Sequence, residues 1–122
     1  MGNPAFTLRS LGLSFGKGTV SSSVEYKLGA QATAILAIAK YSEVTGDSQF
    51  QPILRRLIVS VKDKFITKDN RTIHVLDSQL QIKETFRIVY YDGEILFALL
   101  RAYGIFKEAK IMQICEDLMN QF

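Results

Sequence analysis

The chain has 122 residues, 48% of them hydrophobic and 22% charged, with a formal net charge of +3; this fits one compact domain, or a piece of a larger one, and excludes a disordered chain. A single cysteine, Cys115, excludes an internal disulfide, and a single histidine, His74, excludes the histidine-based zinc frameworks. Fifteen basic against twelve acidic residues are too even a balance to call for a nucleic acid as partner.

The opening Met1-Gly2-Asn3-Pro4-Ala5-Phe6 lacks the basic flank and apolar core of a secretion signal, and Phe6 stands where a myristoylation signal wants Ser or Thr. Residues 1–25 read as an extended segment in which Phe6, Leu8, Leu11, Leu13 and Phe15 carry the apolar content. Gly16-Lys17-Gly18-Thr19 lacks the preceding glycine spacing of a phosphate-binding loop and opens no helix.

Residues 26–65 read as a first helical hairpin. From Leu28 to Thr45 the sequence favours helix and is apolar almost all round, with Ala30, Ala32, Ala34, Ile35, Leu36, Ile38 and Ala39 covering every side. Such a helix has to be enclosed. Its longest apolar stretch, Ala30 to Ala39, is broken by Gln31 and Thr33 and is too short for a bilayer, so no membrane contact is expected. Gly46 stops the helix, with Asp47 or Ser48 placed to cap the next. In that second helix Phe50, Ile53, Leu54, Leu57, Ile58, Val61 and Phe65 form one stripe opposite Arg55, Arg56, Lys62 and Asp63. The bases from Arg55 to Arg71 therefore read as a solvated outer face; the competing reading, an anionic polymer bound there, predicts steep salt dependence.

Residues 66–91 lose the helical period. Two short β-branched or aromatic runs, Thr72 to Leu76 and Phe86 to Tyr90, with turns at Lys68-Asp69-Asn70 and Asp77-Ser78, predict a β-hairpin-like excursion. His74 lies in the first run and projects either to solvent or towards a cavity. Residues 92–122 form a second helical hairpin: an inner helix opened by Asp92-Gly93-Glu94, apolar all round except at Arg101 and interrupted at Gly104, then an amphipathic helix from about Lys107 with Ile111, Ile114, Cys115, Leu118 and Met119 on one stripe. Cys115 reads as a small core residue.

The order is one unit written twice. Tyr26-Lys27-Leu28-Gly29 and Tyr90-Tyr91-Asp92-Gly93 share a Tyr-x-x-Gly spacing ahead of the two enclosed helices, sixty-four positions apart. Two amphipathic helices and one excursion cannot cover two helices that are apolar all round, so a lone copy should display an apolar patch.

The run Lys27-Leu28-Gly29-Ala30-Gln31-Ala32-Thr33-Ala34, then Tyr41-Ser42-Glu43-Val44-Thr45-Gly46-Asp47 and Phe50, resembles the inner-to-outer hairpin of the α/α-toroid, or six-hairpin glycosidase-like, superfamily. Tyr91-Asp92-Gly93-Glu94-Ile95-Leu96-Phe97-Ala98-Leu99-Leu100 resembles the next inner helix of that fold. The resemblance covers residues 26–122. It implies a mainly α fold of two hairpins, inner helices apolar and outer ones amphipathic. It also implies a saccharide in the cavity at the N-terminal ends of the inner helices. An activity there would be of the glycoside hydrolase, lyase or epimerase kind, with no cofactor. Carried onto this chain, it points to Glu94 and Asp92 as the catalytic carboxylates and to Tyr26, Gln31, Tyr90 and Tyr91 as binding residues, with Glu25 at the same mouth; the excursion itself adds His74 as a binding candidate and Asp77 or Glu84 as a more distant acid, between which no spacing selects. Two hairpins are fewer than a toroid's six, so the expected partners are further copies of the chain, three of which would supply six hairpins, or the remainder of a longer one. The alternative is a helical interaction or self-assembly module without catalysis. Glycosidase chemistry needs two carboxyls facing one sugar, and Asp92 and Glu94, two apart on one helical turn, point in different directions.

Overall fold

The computed structural model describes residues 14–16, 19–21, 25–83 and 90–122, with backbone alone for 14–16 and 19–21. Strands β1 (Ser14–Gly16) and β2 (Thr19–Ser21) pair antiparallel, with Ser14 opposite Ser21 and Gly16 opposite Thr19; Lys17 and Gly18 lie outside the described residues. The Phe6 to Leu13 part of the expected extended segment lies outside the described residues, as do Ser22, Ser23 and Glu84.

Strand β3 (Glu25–Lys27) runs directly into helix α1 (Leu28–Thr45). Helix α1 keeps the span the sequence predicts. It ends at Gly46, whose left-handed φ of 69° lets its N–H reach back to Ser42 O at 2.9 Å. Asp47 caps no helix: its carboxylate accepts from the Gln49 N–H and from Tyr41 Oη, shaping the turn. Helix α2 (Gln51–Lys64) then begins behind Phe50 with no side-chain cap.

In the excursion both expected turns are present, at residues 68–69 and 78–79. Its strand β4 (Val75–Asp77) bridges its sequence neighbours at Leu76–Ile82, with the Asp77 N–H donating to Gln81 O at 2.8 Å, and it also pairs outside the excursion. It runs antiparallel to β3, with Glu25 opposite Asp77, Tyr26 opposite Leu76 and Lys27 opposite Val75. The second run, Phe86 to Tyr90, lies outside the described residues except for Tyr90.

Helix α3 (Tyr91–Phe106) starts one residue earlier than expected, and Gly104 does not interrupt it. A glycine inside a helix costs about 0.5–1 kcal/mol, less than is held by the packing of Ala98, Leu99 and Ala102 on the core. The true stop is Lys107, at φ 53°, followed by helix α4 (Ala109–Met119). The inner pair α1 and α3 pack most extensively on one another, each backed by its amphipathic outer helix, α2 and α4. The core is built from Leu28, Ile35, Ile38, Leu54, Leu57, Phe65, Leu76, Ile95, Leu99 and Leu118. Cys115 belongs to it, and burial pushes its thiol up to about 11. Arg55 on α2 pairs with Glu108 and stacks on the Phe106 ring at 4.1 Å, so part of the basic stretch serves the contact between outer elements.

The sixty-four-residue repeat is real at the level of burial. Gln31, Ala34, Ile35 and Ile38 on α1 are buried, and so are their counterparts Ile95, Ala98, Leu99 and Ala102 on α3. The two helices part on one side only. Gly29, Ala32 and Ala39 are buried, whereas their counterparts Gly93, Leu96 and Tyr103 are exposed or half-exposed. Exposed apolar side chains on α3 are Phe97, at 53%, and Leu100, at 38%, and others as exposed lie off it, among them Val59 on α2 and Ile82 in the excursion.

Candidate functional site

The N-terminal ends of α1 and α3 meet beside the β3–β4 ladder. The first amide of α1, on Leu28, donates to His74 O at 2.9 Å, which fastens the excursion to the helix start. Tyr91, on the first turn of α3, lies against Gly29. A Cβ added at Gly29 would stand 2.8 Å from Tyr91 Cζ and closer still to Cε1. The first Tyr-x-x-Gly glycine is thus the seat of an aromatic from the second unit.

The two candidate carboxylates, Asp92 and Glu94, separate as their spacing requires. Asp92 faces the excursion. Its Oδ1 accepts from Thr72 Oγ1 and lies 2.9 Å from His74 Nε2, a length at which the imidazole N–H donates to the carboxylate. His74 is buried, so it projects neither to solvent nor into an open cavity. Its ring sits 5.4 Å from that of Tyr91, tilted by 52°. Asp92 is no helix cap, because α3 already begins at Tyr91; a carboxylate in the first turn still gains from the unpaired N–H groups there. An open depression of about 540 Å³ borders this side, lined by Arg71, Thr72, Asp92, Gly93, Gln121 and Phe122.

Glu94 lies on the same first turn of α3 as Tyr91 and Asp92. Partial burial raises the Tyr91 phenol above its ordinary range, and the charges of Glu94 and Glu25 push in the same direction. Tyr91 is therefore a hydrogen-bond donor at neutral pH. Glu25, on β3, accepts from Lys83 Nζ and has Lys27 Nζ at 3.9 Å. The Lys83 hydrogen bond holds its carboxyl below the usual range. Tyr90, just before α3, is 65% exposed.

Of the other expected site residues, Tyr26 is half-buried on the ladder. Gln31 is fully buried and donates to Lys27 O at 3.1 Å, so it offers no surface to a ligand. Asp77 organises its own turn, accepting from the Gln79 and Gln81 amides. Lys83 is the residue that sequence reasoning missed; it sits fifty-eight positions from Glu25, and no local pattern links them. Among the described residues no cluster of His, Cys, Asp and Glu could hold a metal ion, and no helix is long and apolar enough to cross a membrane.

The architecture, apolar inner helices backed by amphipathic outer ones, is part of an α/α-toroid fold. It is similar to the solved structure of cellobiose 2-epimerase from Spirochaeta thermophila DSM 6192, with a TM-score of 0.69 at 16% identity over 77% of this chain. That overlap is 26% of the epimerase, so the chain spans about a quarter of that protein's length. No family model matches the chain, and no curated protein sequence does.

Proposed function

We propose that the inner-helix mouth binds a saccharide, and that the chain is a section of a carbohydrate-processing toroid. The observation that carries this reading is the meeting of the two inner-helix starts, where Tyr91 of α3 lies on Gly29 of α1, with Glu94 on the same first turn as Tyr91 and the preceding Tyr90 65% exposed. An exposed tyrosine offers a flat apolar face to a sugar ring. A carboxylate held ionised by Lys83 accepts from sugar hydroxyls, and a phenol held protonated donates to a ring or glycosidic oxygen. In this reading Glu94 is the acid or base at the reacting carbon. Asp92 is a positioning residue, orienting His74 and through it the Tyr91 ring. The likeness to a cellobiose 2-epimerase supports the choice of a saccharide as ligand class, and cellobiose is the first to try.

The test is a titration of the chain with cellobiose and with monosaccharides, followed by the ring and amide NMR signals of Tyr90, Tyr91 and Glu94. Saturable shifts that vanish in Tyr90→Ala and weaken in Glu94→Gln are expected. Shifts that survive both substitutions, or none at millimolar sugar, would remove the reading.

A further inference from the structure

We draw no further inference here: the strongest candidate, the open groove of about 450 Å³ between α2 and α4, floored by Ile58 and Ile111, carries nothing because its rim of three basic and three acidic side chains selects no ligand charge and nothing in the structure shows what covers it.

Discussion

Tyr91 rests on Gly29 so closely that the glycine can carry no side chain without moving the ring. Alanine in place of a helical glycine ordinarily stabilises by about 0.5–1 kcal/mol. Here Gly29→Ala should destabilise by about 1–3 kcal/mol, the cost of overpacking, and Tyr91→Ala should largely remove that penalty in a double-mutant cycle read by urea unfolding. Gly93→Ala, where an added Cβ meets nothing within 4 Å, should show the ordinary gain in the same urea unfolding.

Asp92 gathers the Thr72 hydroxyl and the buried His74 imidazole on one oxygen. Removing it takes the acceptor from both, and Asp92→Ala should cost about 1–3 kcal/mol. Asp92→Asn keeps one carbonyl oxygen and should lose less. Thermal unfolding monitored by circular dichroism orders the two variants. Equal effects would mean that the carboxylate does not organise this corner.

The hydrogen bond from Lys83 to Glu25 ties the β3–β4 ladder to the chain beyond β4. It lowers the Glu25 pKa in the folded state. The stabilisation is therefore complete above the unfolded carboxyl's pKa of about 4.3 and is lost as pH falls through the lower, folded value. An NMR titration should place the Glu25 carboxyl below the other exposed glutamates, and Lys83→Met should return it to their range.

Ser42 Oγ and Ser60 Oγ are buried in helices with no hydrogen-bond partner. Ser60→Ala removes an unsatisfied hydroxyl and supplies a better helix former, so it should stabilise by up to about 1 kcal/mol. A loss of stability would show that the hydroxyl has a bond in solution, through water.

The helices were legible because their signals are local. Apolar periodicity, the Gly46 stop and the Tyr-x-x-Gly repeat each lie within a few residues, and α1 takes the span they indicate. What sequence reading missed is non-local or is decided by packing. Strand β4 has no mark showing that it pairs with residues before α1. Gly104 looks like a stop, yet tertiary contacts carry the helix through it. At the mouth, spacing alone separated Asp92 from Glu94, but it could not reveal that Asp92 meets the buried His74 of the excursion.

The pairing of β3 with β4 joins segments about fifty residues apart, across the whole of the first helical hairpin. During synthesis Glu25 and Tyr26 emerge early, yet the strand that fixes them follows only after α1 and α2 are complete, and the Lys83 that restrains Glu25 comes later still. Closing so long a loop is slow compared with forming either helix. The corner of the molecule encoded first is thus among the last to take shape, and amide exchange at Leu28 and Lys27 should report the moment when it does.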